Sequence, residues 1–299
     1  MNDEVRPLPN GGTIDLMDWS HLRSELTWIY EGPVSPQHFE KTVFVPGQTA
    51  FLIRNGDVLI QTDKGSATAG HGQWIFPREG LRRQRFSPGT IILSIRFDLA
   101  WPGGRRLYDW DVAAVFESSQ VPELEREARR LKRWVERKFP NAYIGLLQYQ
   151  SDLETRLLLH QRFLRWLALY TQALRDRGWL PVRLGRMEPR VLNAVQLLDR
   201  LSFHELCHEK GLAAQVGLSV SQLDRLFINQ FGITPRRYLE RRRVQEATAR
   251  VQGSSDSFKQ IAFDLGFGSL SHFSAWFRRK TGFSPRQFRE QKVLLPWKK

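Results

Sequence analysis

The sequence predicts an α+β protein: a β-rich N-terminal half, a helical bridge, and an all-α C-terminal region built from two copies of one helical unit. Three observations carry this. Residues 20–110 or so hold short apolar or alternating runs broken by turn signals. Two longer patterns at helical spacing follow. Beyond them, one segment recurs fifty positions later.

The 299 residues give room for two domain-sized cores. A 41% apolar content, with 10 Trp and 19 Phe, excludes a disordered chain. A single cysteine, Cys207, excludes a disulfide framework and a Cys-rich zinc site; it reads as a small core residue rather than a redox sensor. The first residues lack a basic-then-apolar leader pattern, and no apolar run approaches about 18 residues, so the protein is expected in the cytoplasm and off the membrane. The net charge of +14 is unevenly spread. Arg183–Lys299 carries 21 Lys and Arg against 10 Asp and Glu, whereas the first 182 residues carry 24 against 21. Such concentration suits binding driven by counterion release from phosphates, although a solubilising surface would give the same charge.

Candidate strands lie at Thr42–Pro46, Ala50–Arg54, Asp57–Gln61, Gln73–Pro77 and Thr90–Phe97. Asn55-Gly56-Asp57, Asp63-Lys64-Gly65, Gly70-His71-Gly72 and Ser87-Pro88-Gly89 punctuate them. Many short strands of this kind predict a sandwich or small barrel. Pro122–Phe139 reads as a charged helix with Leu124, Ala128, Leu131 and Val135 on one face. Asp152–Arg177 is a longer helix whose Leu157, Leu164, Leu167, Tyr170 and Leu174 form a stripe, packed on its own domain or serving as a dimer seam. Gly178–Pro189, with two prolines and two glycines, reads as a linker. The expected division is therefore 1–177, a linker at 178–189, and 190–299.

In the duplication, Ser219, Ser221, Phe227, Gly232, Pro235, Arg236 and Glu240 recur as Ser269, Ser271, Phe277, Gly282, Pro285, Arg286 and Glu290. Two copies are too few for a solenoid. In the first, a short helix over Leu212–Val216 ends at Gly217. Ser219 and Gln222 then make a capping box for a helix over Val220–Gln230. That helix buries Leu223, Leu226 and Phe227 and presents Ser221, Gln222, Arg225 and Asn229, side chains suited to base edges. This is the pattern of a helix-turn-helix, whose second helix enters the major groove. The second copy repeats it. Ile261–Gly266 is the supporting helix, Ser269 caps the reading helix, Phe273, Trp276 and Phe277 form its buried side, and Ser271, His272, Ser274 and Arg278 face outward. The units span about 203–232 and 257–282. Each closes on Gly-x-[Thr/Ser]-Pro, a helix stop followed by a new cap and a first-turn proline, with Arg236 and Arg286 near helix starts where phosphates are met. The helix from Pro235 to about Val251 is a rod of roughly 25 Å, able to set two reading helices in neighbouring major-groove faces.

Residues 190–290 resemble the AraC/XylS family of bacterial transcription regulators. The match rests on IAFDLGFGSLSHFSAWFRRKTGFSPRQFR over Ile261–Arg289, which is similar to the family signature throughout. Ala275 departs from it, standing where the family commonly has Arg. The resemblance implies a ligand-responsive regulator, more often an activator than a repressor, acting on double-stranded DNA as a homodimer and with RNA polymerase. It also implies that the β-rich region is a cupin-like sensor barrel and that the following helices are a dimerisation segment.

No cofactor, metal or catalytic residue is assigned. His21, His38 and His71 are scattered rather than clustered as cupin metal ligands would be. Trp28, Trp74 and Trp101 can stack on a sugar ring, and Arg82, Arg83 or Arg85 can meet an anionic group. The default reading places the same tryptophans in the core and the arginines on a solvated face. Trp28, Trp74, Arg83 and Arg85 are the effector-site candidates, a sugar being one possible effector. The alternative function is a cupin-type enzyme carrying a DNA-binding appendage, or an alkyltransferase, which needs a reactive cysteine.

Overall fold

The computed structural model describes residues 19–140, 142, 146, 149–182, 188–204 and 209–290. Ten strands follow in chain order: β1 (Arg23–Pro33), β2 (Glu40–Val45), β3 (Gln48–Asn55), β4 (Asp57–Thr62), β5 (Gly65–Gly70), β6 (Gln73–Pro77), β7 (Gly80–Phe86), β8 (Ile91–Trp101), β9 (Arg105–Arg106) and β10 (Ala113–Glu117). All pair antiparallel, in two sheets. The larger is ordered β1-β8-β3-β6-β10, with β9 on β8; the smaller is β2-β7-β4-β5.

Period-two alternation gives each sheet two faces. On β8, Leu93, Ile95, Phe97 and Leu99 join the helices that follow, while Ile92 belongs to the core between the sheets. That inner core is completed by Val34, Phe51, Ile53, Val58, Ile60, Ala69, Ile75 and Phe86. Phe51 and Phe86 meet edge to face across it at 5.8 Å.

Helices α1 (Pro122–Lys138) and α2 (Leu153–Arg175) cover the outer face of the larger sheet. Asp152 caps α2 by accepting from the Thr155 N–H at 2.8 Å. Trp166 and Tyr170 of α2 lie 5.2 and 5.0 Å from Phe97 and Phe76 of the sheet. The α2 stripe divides. Leu167, Tyr170 and Leu174 are buried, whereas Leu157 and Leu164 are 59% and 41% exposed, with Leu153 beside them at 74%.

Seven helices follow: α3 (Pro189–Arg200), α4 (Glu209–Gln215), α5 (Val220–Phe231), α6 (Pro235–Gly253), α7 (Phe258–Asp264), α8 (Leu270–Thr281) and α9 (Pro285–Glu290). The largest core cluster runs from the sheet and α2 through Val191 and Leu198 to Leu223, Phe227 and Tyr238. A separate cluster gathers Ala247, Ile261, Leu265, Phe273, Trp276, Phe277 and Phe288, with Phe44 of β2 packed on it. The segment after α2 is tied to the sheet: Trp101 Nε1 donates to the Val182 carbonyl at 2.7 Å, and the Val182 N–H donates to Leu107 at 2.6 Å.

Strands β1, β5, β7, β9 and β10 lie outside the runs read from the sequence. β7 (Gly-Leu-Arg-Arg-Gln-Arg-Phe) is polar on both faces, and β5 (Gly-Ser-Ala-Thr-Ala-Gly) is made of small residues. Neither shows the hydrophobic alternation on which such a reading depends; their sheet partners supply the pairing.

Candidate nucleic-acid interface

The two copies share one local geometry. Ser219 Oγ accepts from the Gln222 N–H at 3.2 Å, and Gln222 Oε1 accepts from the Ser219 N–H at 3.0 Å, closing the capping box at the start of α5. Ser269 Oγ accepts from the His272 N–H at 3.2 Å at the start of α8. Both helices end on a left-handed glycine, Gly232 at φ 69° and Gly282 at φ 83°, a conformation that a Cβ would strain. Thr234 then caps α6, and Ser284 forms a reciprocal pair with Gln287 at 3.2 and 3.0 Å ahead of α9.

Leu223, Phe227 and Phe231 anchor α5; Phe273, Trp276 and Phe277 anchor α8. Fixing one side by packing leaves the other in solvent. Ser221, Gln222, Arg225 and Asn229 are exposed on α5, with Arg236 at the start of α6. Ser271, His272 and Arg278 are exposed on α8 and Ser274 is half-buried, while Arg286 is exposed on α9 and pairs with Glu290 at 3.1 Å. Besides Arg286, two of these side chains are partly committed: Gln222 to the cap, and His272 to an edge contact with Phe267 at 5.4 Å.

The sequence reading passed over Ile228, half exposed on the same side of α5 as Arg225 and Asn229, and over Arg237, Arg279 and Lys280 beside the glycine stops. Their signal was available in the i, i+4, i+7 spacing from Ser221 and in the basic last turn of α8. Ala275, equivalent to Arg225, is exposed.

The α6 rod, 19 residues or about 28 Å, joins the units and is fixed at several points. Arg242 Nη1 donates to the Leu198 and Leu201 carbonyls at 2.8 and 2.6 Å. Tyr238 donates to Asp199 Oδ1 at 2.8 Å, and burial, then Asp199, hold its phenol well above the ordinary range. Arg250 bonds Asp256 at 2.8 Å and Asp264 at 2.6 Å, lowering both carboxyls. Arg241 reaches the Gly103 carbonyl at 3.2 Å; burial, then Arg106, Arg237 and Arg105, lowers its pKa.

The structure does not bring the four effector candidates together. Trp74 is fully buried on the helix side of the larger sheet. Arg83 and Arg85 are exposed on the outer face of β7, Arg83 paired with Glu40. Trp28 is partly buried against the inter-sheet core. Cys207 lies outside the described residues, which contain no group of three or more His, Cys, Asp or Glu placed to hold a metal ion. No helix among them is long and apolar enough to cross a membrane.

A model of the helix-turn-helix domain matches residues 212–291. The HTH-type transcriptional activator RhaS of Klebsiella pneumoniae is 44% identical over 98 residues, which are 32% of this chain and 35% of that protein. RhaS of Citrobacter koseri is 41% identical over 103 residues, 33% and 37% of the two chains. The matches thus span little more than a third of these relatives. Over nearly the full length the fold is similar to ToxT from Vibrio cholerae, solved with an unsaturated fatty acid bound: TM-score 0.52 at 12% identity, covering 91% of this chain and 96% of that one. Residues 212–291 therefore carry a helix-turn-helix domain similar to that of these transcriptional activators.

Proposed function

We propose that this chain is a sequence-specific, ligand-responsive transcription regulator of the activating kind. One observation carries the reading: two helices fifty positions apart, each capped by a serine and stopped by a left-handed glycine, turn polar and cationic side chains to solvent in the basic part of the chain. Matched relatives that are transcriptional activators favour a regulator over an enzyme.

In this reading α5 and α8 enter neighbouring major-groove faces. Ser221, Gln222, Arg225 and Asn229 read bases, joined by Ile228, whose exposed side chain suits a thymine methyl. Ser271, His272, Ser274 and Arg278 serve the second unit, and Arg236 and Arg286 meet phosphates. Residues 1–177 act as a cupin-like sensor, 178–189 as linker and 190–299 as the DNA-binding part. The exposed Leu153, Leu157 and Leu164 of α2 supply the face for homodimerisation. RNA polymerase is the further partner, and the cytoplasm the place of action. The test is titration on a promoter fragment and on random DNA at several salt concentrations; equal affinity for both defeats the claim of specificity.

A further inference from the structure

We infer that Arg82 of β7 and Arg96 of β8, on the inward faces of the two sheets, form a binding site for a small carboxylate. As the identity of the effector, this rests on the regulator reading above; as a binding site, it stands alone.

On β7, Arg82 and Gln84 alternate with the exposed Leu81, Arg83 and Arg85, and they share the inward face with Phe86. Arg82 is 2% exposed. Its guanidinium donates to the Arg78 carbonyl at 3.1 Å and to Thr49 Oγ1 at 3.3 Å, and its Nε has no partner. Thr49 is the cross-strand neighbour of Arg96, which alternates inward on β8 with Ile92 and Ser94. Thr49 therefore bonds Arg82 and neighbours Arg96 in the ladder. Trp28, the neighbour of Arg96 on β1, has an unpartnered buried indole Nε1, and the Gln84 Oε1 is likewise unpartnered.

The charges around them do not balance. Asp98, next inward on β8, pairs with Arg23 at 2.9 Å. Glu79 accepts from Gln48 at 2.6 Å and faces Arg106 at 3.6 Å. Among the described residues no carboxylate lies within 4 Å of either Arg82 or Arg96. Arg82 is removed from water and Arg96 half-buried with no carboxylate in contact, Glu79 acting on Arg82 only at longer range, so the desolvation cost is incompletely offset. Burial lowers the pKa of Arg82 to about 9, with Arg96 next in effect, and that of Arg96 to about 10. A planar carboxylate satisfies forked guanidinium donors in pairs, which an uncharged sugar does not. The cavity of about 400 Å³ between β8 and α6 offers no comparable deficit. There Arg23 is matched by Asp98, Tyr238 by Asp199, and Arg242 by two carbonyls.

The test is thermal shift and calorimetry on the full chain with hexanoate, succinate, inorganic phosphate, hexanol and glucose at matched ionic strength. Wild type, Arg82→Gln, Arg96→Gln and, as control, the outward Arg83→Gln are compared. We expect saturable stabilisation by a carboxylate but not by hexanol or glucose, weakened at least tenfold by either inward substitution and unchanged by Arg83→Gln. Without ligand, Arg82→Gln should melt no lower than wild type, because an unpaired buried charge is gone. Equal anion response in all four proteins would place binding on the basic DNA-binding surface and overturn the proposal. So would a lower apo melting temperature for Arg82→Gln with no carboxylate response in wild type, which marks a structural arginine; phosphate binding better than either carboxylate would overturn the ligand class. Carboxylate binding that leaves promoter affinity unchanged keeps the site and removes its role as effector site.

Discussion

The two helix-turn-helix units are near-copies in sequence and differ in what holds them. The first shares its core with the β-rich part: Phe227 and Tyr238 belong to the same cluster as Phe97 and Trp166. Arg105 also donates to the Gln230 carbonyl at 2.9 Å, at the end of α5. Gly103 lies so close to Tyr238 that a Cβ there would fall 2.8 Å from its ring. The second unit has its own core and touches the smaller sheet chiefly through Phe44, 6.3 Å from Phe288. Duplication thus produced one unit wired to the β-rich part and one that rests against it. A signal from the β-rich part should reach α5 through continuous packing, and α8 through α6 or by release of the Phe44 contact.

The equivalent residues Phe227 and Phe277, both fully buried, give the sharpest test. Truncating either to Ala should cost about 3–5 kcal/mol locally. Hydrogen exchange should show Phe227→Ala loosening the larger sheet and α2 as well, whereas Phe277→Ala should loosen α7–α9 alone. Equal spread from both would dissolve the distinction. Next in size is readout. Arg225→Ala should change which sequence is preferred at a cost of about 1–3 kcal/mol, while Arg286→Ala should weaken all sequences alike and flatten the salt slope. Selection of bound DNA from a random pool checks both, and a uniform loss from Arg225→Ala would mean that this face of α5 is misassigned.

The repeat was legible because its signals are local: a capping serine, a glycine stop, and a proline in the next first turn each act within one helix turn. The partner of each unit was not. Nothing in β2 marks Phe44 as outward and Val43 as inward, since both are apolar; register on Arg82 and Leu81 of β7 decides it. β7 posed the same difficulty in reverse. Arg82-Arg83-Gln84-Arg85 is polar at every position, so alternation cannot say which arginines face inward; in the fold Arg82 is buried and Arg83 and Arg85 are exposed. Trp74 misled for a related reason. Its strand is buried on both faces, and an aromatic there serves the helix side as readily as the side between the sheets.

A smaller effect contrasts the β-rich part with the helix-turn-helix region through pH. Burial raises the Glu79 carboxyl from an ordinary 4.5 to about 7, against the opposing pull of Arg106. Between those values the folded protein holds a proton that the unfolded chain has released, so stability should decline as pH rises from about 4.5 to about 7 and level off beyond. Glu79→Gln should remove that slope in melting temperature. Asp256 and Asp264 are shifted down by Arg250 and act in the opposite sense: their contribution is present above the ordinary carboxylate range and fades as pH falls through their lowered values. A pH series on wild type and Glu79→Gln, read by exchange in β6–β8 and in α7 separately, should show the two regions weakening at opposite ends of the range. A slope unchanged in Glu79→Gln would assign it to another group.

The smallest expected effect concerns the caps themselves. Ser219 closes a reciprocal box with Gln222, whereas Ser269 accepts a single bond because His272 turns its ring to Phe267. Replacing either serine with Ala should cost about 1 kcal/mol, with Ser219→Ala the costlier because Gln222 loses its ordering partner as well. Gln222→His in the first unit and His272→Gln in the second exchange the two arrangements without touching either buried face. If the caps set how firmly each reading helix is presented, protection at the first turn should fall in α5 and rise in α8. The packing of Phe227 and Phe277, reported by their ring resonances, should stay fixed. Movement of both together would mean that the core, and not the cap, positions the helix start.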